Sequence, residues 1–337
     1  MAHELVKSYV TDKYRMAYRK RSELDRPWHD DSTNCTAWTE NPTIDQVIQD
    51  LEANIDLMLR PLFDKDGQEV KEVREVWRPH TSDLSFVDQD GAKGRRVGVV
   101  GPQFTLIQDH EVVEWFEPWV DSGSVTIETG GAILGGSRFW VLGKLSTESL
   151  DVVNGDCVHQ HILAVNGHDG KLSFCALPTT VRVVCNNTLN VAMASKVTRK
   201  YKAKHNRLVS AKLTDIRTEI EIMQAGLSDL VDKYRFLAQH NVKSSEQLEI
   251  YLRQVLKIED EKKTKPLESI IQLFEDSEYQ KLPGVSGTWW AAFNAVTEFT
   301  THMRGRNSDT RLDNMVSGLS LDMTNRAFDL GLVAATV

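Results

Sequence analysis

The sequence predicts an α+β protein: an antiparallel sheet with flanking helices, followed by a mainly helical C-terminal region. Two observations lead there. Between residues 84 and 185, short β-branched and aromatic runs alternate with turns rich in Gly, Asp and Asn. From Lys212 onward the apolar residues recur at steps of three and four instead. No repeat and no low-complexity linker interrupts the chain, so the change of period sets the organisation: an irregular arm over 1–42, an α+β core over 43–205 and a helical region over 206–337.

Along the chain, residues 1–42 are polar, with "DRPWHDDSTN" as a surface loop. "TIDQVIQDLEANI" spaces Ile44, Val47, Ile48 and Leu51 helically, and Thr43 is placed to cap its start. "LSFVD" and "RRVGVVG" flank the Asp90-Gly91 turn signal and predict a hairpin. "PQFTLIQDHEVVEWFEPWV" predicts a strand passing into a helix at Asp109 and ending at Pro118. "SVTIETGGAILGGSRFWVLGKL" predicts a strand pair whose paired glycines mark turns or bulges. "CVHQHILAVNGHDGKLSFCALP" predicts a hairpin turning at 167–170, and "TTVRVVC" a further strand. Leu213, Ile216, Ile220, Met223 and Leu227 open one long amphipathic helix from Lys212 to Gln239. Shorter helices are predicted at 245–257, 267–276, 287–303 and 320–335; Thr288 caps the third, where Trp289 and Trp290 pack between helices, the alternative being a subunit contact.

Composition narrows the function classes. The 337 residues are 41% hydrophobic and 26% charged, ordinary for a globular protein with a sizeable core. The chain has no secretory h-region and no apolar run long enough to span a bilayer, and its four cysteines lack CxxC spacing. The expectation is a cytoplasmic protein with free thiols and no membrane partner. Walker A, dinucleotide, nucleophile-elbow and HExxH signatures are all missing, so no catalytic residue and no cofactor is assigned.

The net charge of −8 is unevenly spread. Lys196, Arg199, Lys200, Lys202, Lys204, Arg207, Lys212 and Arg217 face one acid, Asp215, so 196–217 carries +7 and leaves −15 elsewhere. Tyr201 and His205 lie inside this run and are of the type that stacks on bases. Just upstream, "VRVVCNNTLN" reads as a strand turning into a helix that Asn186 or Asn187 caps. A helix start offers free N–H groups to phosphate, and Arg182 is close by in sequence. The candidate nucleic-acid-binding residues are therefore Arg182, Asn186, Asn187, Lys196, Arg199, Lys200, Tyr201, Lys202, Lys204, His205 and Arg207. The plainer alternative is a solvated basic loop, or a patch that pairs with the protein's own acidic surface, beside a strand corner with a buried Cys185.

Two further groupings have competing readings. Cys157, His159 and His161 alternate along one strand, with Cys175 on the next; their spacing is not that of a zinc site, and they read as a polar sheet face with no metal. His168-Asp169 invites an acid–base reading, but adjacent side chains diverge and Asp-Gly is ordinary turn chemistry.

"GVVGPQFTLIQDHEVVEWFE", "GGSRFWVLGKL", "NGHDGKLSFCALPTTVRVVCNNTLN" and "LPGVSGTWWAAFNAVTEF" resemble, in order, the phage- and plasmid-borne proteins of domain-of-unknown-function family 932. Pro27, Trp28 and His29 match that family's early motif. Lys204, His205 and Asn206 stand where the family has Arg-His-Thr, a departure at that element. The resemblance implies a mobile-element origin and delivers no activity. At the level of fold it is also similar, more remotely, to phage single-strand annealing proteins. The expected function is single-stranded DNA binding or annealing in recombination, by a homo-oligomer and without bond chemistry. The alternatives are a non-catalytic protein that modulates a host factor, its acidic remainder mimicking nucleic acid, and a metal-dependent enzyme built on the Cys/His grouping.

Overall fold

The structure is a computed structural model that describes residues 6–8, 11, 13–20, 34–79, 94–147, 149–182, 187–189, 201–224, 227–259, 264–304 and 319–336. The chain is α+β, with an antiparallel-rich sheet, flanking helices and a helical C-terminal region.

Strands β1 (Met16–Arg19) and β2 (Thr36–Trp38) lie in the arm read as irregular. β2 has only three residues and β1 four, three of them buried in succession, so neither shows a period of two. Helix α1 (Ile44–Asp50) begins where Thr43 caps it, the hydroxyl accepting from the Gln46 N–H at 3.2 Å. Strands β3 (Met58–Phe63), β4 (Glu69–Pro79) and β5 (Gly94–Val100) form a three-stranded antiparallel sheet in that order. The strand expected at "RRVGVVG" is thus present and β4 is its partner; "LSFVD" and the Asp90-Gly91 turn lie outside the described residues.

Helix α2 (Asp109–Glu114) starts at the predicted residue, but 101–108 before it is an irregular loop rather than a strand. Pro118 does not end that helix. It sits in the first turn of the next one, α3 (Glu117–Asp121), where its missing N–H would have had no intrahelical partner anyway. Strands β6 (Val125–Ile133) and β7 (Arg138–Leu145) pair as predicted around a tight turn in which Gly135 and Gly136 adopt φ of 68° and 91°. At the other glycine pair the neighbour is close: a Cβ on Gly131 would lie 2.8 Å from the Arg15 carbonyl oxygen of β1's approach.

Then come β8 (Leu150–Val153), β9 (Asp156–Gly167) and β10 (Phe174–Arg182). The two strands expected on either side of Pro178 are one, β10. Strand β12 (Tyr201–Ala203) covers its edge at 174–176 and β11 (Asn187–Leu189) covers it at 180–182. Pro178 faces neither, which suits a residue without a donor. The described sheet runs β11-β10-β9-β7-β6-β1-β2, with β8 beside β9 and β12 beside β10.

The helix expected from Lys212 to Gln239 is described as two, α4 (Val209–Gln224) and α5 (Leu227–Gln239), with Ala225 and Gly226 outside the described residues. Helices α6 (Ser245–Leu256), α7 (Lys265–Asp276), α8 (Trp289–Glu298) and α9 (Leu319–Ala335) match the shorter predictions. Thr288 caps α8, accepting from the Ala291 N–H at 3.2 Å.

The chain divides into two compact units, interleaved in sequence: 1–146, 162–177 and 200–219 in the first; 147–161, 178–199 and 220–337 in the second. The second has an aromatic core. Trp290, Phe293 and Phe328 surround the Tyr234 ring at 4.7, 6.2 and 5.6 Å, and Trp289 meets Tyr251 at 5.2 Å. Trp290 Nε1 donates to the buried Asp156 carboxylate at 2.7 Å. Burial pushes the Tyr234 and Tyr251 hydroxyls above their ordinary pKa, so both stay neutral.

Candidate nucleic-acid interface

The basic run is structured where it is described. In β12, Lys202 stands opposite Cys175 and Ala203 opposite Phe174, with a single strand partner among the described residues. Ala203 is buried, whereas Lys202 and Lys204 are exposed, the alternation of a strand with one face packed. The chain then turns. The Asn206 Oδ1 accepts from the Leu208 N–H at 3.0 Å and its carbonyl from the Val209 N–H at 2.9 Å. This Asx turn starts α4 at Val209, three residues before the apolar period suggested. Arg207 and Leu208 stay exposed on the turn.

His205 closes this turn against the loop at 103–105. Its ring stacks on Phe104 with centroids 4.3 Å apart and planes 13° from parallel. Its Nδ1 lies 3.0 Å from the Thr105 carbonyl oxygen, and its own carbonyl accepts from the Thr105 N–H at 3.1 Å. Burial lowers its pKa to about 4, against the raising effect of that backbone contact, so the ring is neutral near pH 7. The stack that His205 makes is intramolecular, and the charge of this corner comes from the lysines and Arg207. Between the two loops is a cleft of about 600 Å³ lined by Gln103, Thr105, Asn206, Arg207 and Leu208.

A buried ionic cluster fixes the other end of the 101–108 loop. Asp109, at the start of α2, accepts from Arg15 Nη2 at 2.8 Å, faces Arg78 Nη1 at 3.5 Å and contacts His168 Nε2 at 2.8 Å. Glu52 joins through Arg78 at 3.3 Å and through the Ser8 hydroxyl, and its carbonyl accepts from Arg78 at 2.8 Å. These charged side chains are at most 6% exposed. Burial works to raise the Asp109 pKa, but His168, Arg15 and Arg78 outweigh it and hold the carboxyl far below the usual range. Next to it, Gln108 bonds both backbone groups of Leu57, at 2.8 and 3.0 Å, and Asn166 donates to the Ile107 carbonyl at 3.1 Å. The cluster is buried, and its effect is positional: it ties 107–109, just after the cleft loop, to Arg15, Leu57, Arg78 and His168.

The remaining nucleic-acid candidates lie on β10, β11 and β12 or outside the described residues. Arg182 ends β10 and Asn187 begins β11, paired directly opposite it. The helix expected at "TLNVAMAS" therefore does not begin at this corner: 187–189 is a strand whose backbone pairs antiparallel with Thr180–Arg182, and 190–200 lie outside the described residues. Asn186, Lys196, Arg199 and Lys200 lie outside the described residues, as do Cys185 and the Pro27-Trp28-His29 motif. Tyr201 is placed in β12 by its backbone. His168 and Asp169 do diverge: His168 turns to Asp109, while Asp169 takes Arg138 Nη1 at 2.6 Å. Cys157 and His159 are half-buried on β9 and His161 is buried, its Nδ1 3.2 Å from the His159 carbonyl oxygen. Among the described residues no group of three or more His, Cys, Asp or Glu side chains is placed to hold a metal ion. No helix among them is long and apolar enough to cross a membrane.

Sequence reasoning missed Arg15, Glu52 and Arg78. No local motif marks them; the trace available was Asp109, which stood out only as a helix start.

The fold is that of an α+β protein in which a short strand with exposed lysines, at an edge of the sheet among the described residues, leads to a cleft of mixed lining. A family model matches residues 96–319, two thirds of the chain, and on that match the chain belongs to the family described as domain of unknown function (DUF932). Neither the comparison with curated proteins nor that with solved structures gave a match.

Proposed function

We propose that this chain binds single-stranded nucleic acid, DNA foremost, along the basic segment from Lys196 to Arg217, and changes no covalent bond. The observation that supports it is the exposure of Lys202, Lys204 and Arg207 in one continuous stretch, an edge strand followed by a capped turn. An edge strand gives cations a regular rise, and phosphates along a strand are met by such a row. The family resemblance favours a phage or plasmid setting, in which strand binding serves annealing during recombination in the host cytoplasm. Annealing calls for several copies holding one strand with its bases accessible, so the active form in this reading is a homo-oligomer.

The test is the salt dependence of binding to a labelled single-stranded oligonucleotide. Each phosphate neutralised contributes a slope of about −0.7 in log K against log salt. Replacing Lys202, Lys204 and Arg207 together with Ala is expected to flatten the slope by up to about 2 units. A folded parent that does not bind the oligonucleotide at low salt would overturn the reading.

A second reading, a protein that docks a host factor, has one feature in its favour. Glu249, Glu268, Glu275 and Asp276 rim a groove with Leu267 and Ile271 in its lining, on α6 and α7. An apolar lining with an acidic rim suits a basic amphipathic segment. Retention of a basic amphipathic peptide by the parent, lost on Glu268→Lys with Glu275→Lys, together with failure to bind oligonucleotide, would favour that reading.

A further inference from the structure

We infer that the cleft between 103–105 and 206–208 is a nucleobase subsite, taking one unstacked base of the strand whose phosphates the lysines follow. The inference rests on the strand-binding reading and adds to it the place where a base, rather than a phosphate, is held.

Four observations carry it. The cleft measures about 600 Å³, within the range of small-ligand sites and ample for one nucleotide. Its lining is mixed in the way a base requires. Gln103 offers an amide donor and acceptor. Asn206 has its Oδ1 engaged by the Leu208 N–H, which leaves its NH₂ to donate. Leu208, 66% exposed, presents an aliphatic surface that has no packing role in the fold and suits the flat face of a base. Third, the walls are fixed before any ligand arrives. The Thr105 N–H bond to the His205 carbonyl, the His205 Nδ1 contact with the Thr105 carbonyl and the Phe104–His205 stack hold one loop to the other, so little ordering remains to be done on binding. Fourth, Arg207 belongs both to the cleft lining and to the basic run, placing a cation where the phosphate of an inserted nucleotide would stand. His205 beneath stays neutral and adds no charge, so selection inside the cleft falls to the uncharged groups.

The probes are a labelled oligothymidylate and an abasic strand of the same length and charge. The parent is expected to bind the thymidylate about tenfold more tightly, the scale of one captured base. In Gln103→Ala with Leu208→Ser that preference disappears, while the salt slope stays that of the parent, because neither residue is charged. Both positions are exposed, and Gln103→Ala alone, tested the same way, guards against any loss of folding in the pair; it should reduce the preference about threefold. If the parent binds both strands equally, or the double variant keeps the preference, the subsite is wrong and strand binding along the lysines stands. If the folded parent binds neither strand, both inferences fall together.

Discussion

Asp109 Oδ1 and His168 Nε2 stand 2.8 Å apart, fifty-nine residues from one another in sequence, with both side chains removed from solvent. The contact joins the start of α2 to the turn between β9 and β10, and the Arg15 and Arg78 guanidinium groups complete the surroundings of the carboxylate.

Removing that carboxylate is expected to be severe. Asp109→Ala leaves two buried arginines with Glu52 as their remaining carboxylate partner among the described residues, a loss of about 3–5 kcal/mol. Urea denaturation of parent and variant reads the difference; a midpoint unchanged within error would show that the cluster is not what holds the 107–109 segment.

The same group sets an acid limit. Its folded pKa is depressed below the ordinary 3.8, so its contribution is fully present above that value and is lost as pH falls below it. Melting temperature followed from pH 7 downward should show a fall beginning near pH 4 that is shallower in Asp109→Asn. A parent and variant that lose stability in parallel would contradict the assignment.

His205 should titrate near 4 rather than the ordinary 6.5. Because the unfolded ring takes up a proton first, its burial favours the folded form above pH 6.5, and this advantage declines as pH drops toward 4. Histidine proton resonances assigned by His205→Gln read the value directly, and a midpoint close to 6.5 would place the ring in solvent.

The sequence made the elements legible where the period was long and the caps were local: Thr43 and Thr288, the β6–β7 pair and the four C-terminal helices all arise from residues within one or two turns of each other. What it hid depends on distance. Beside His168 the sequence displays Asp169, but the turn sends the two apart, and the true partner is recognisable only once β9 and α2 are folded. The candidate interface was legible as charge and illegible as shape. Eight cations in a short span are visible at once, whereas the cleft exists only because Thr105 meets His205 a hundred residues away.

Gly98 gives a test of close packing. A Cβ there would lie 2.5 Å from the His168 carbonyl oxygen and 2.6 Å from the Asp169 Cα, backbone atoms that cannot move aside cheaply, whereas at Gly101 it would meet nothing within 4 Å. Gly98→Ala is expected to cost about 1–3 kcal/mol, and Gly101→Ala should fall within about 0.5 kcal/mol of the parent. Thermal melts of the pair decide; equal melting points would mean that the strand and turn are not in this register.

The bond between Trp290 and Asp156 has a consequence for the newborn chain. The two residues are 134 positions apart, and Val152 and Val158 belong to the same core as Trp290. At about 5–20 residues per second, a ribosome needs on the order of ten seconds to travel between them. Throughout that interval the Asp156 carboxylate lacks its indole donor, and the core that holds the two valines lacks α8. Stalling translation anywhere between these positions should yield a nascent chain that recruits holdase chaperones, and the dependence should end once α8 has cleared the exit tunnel.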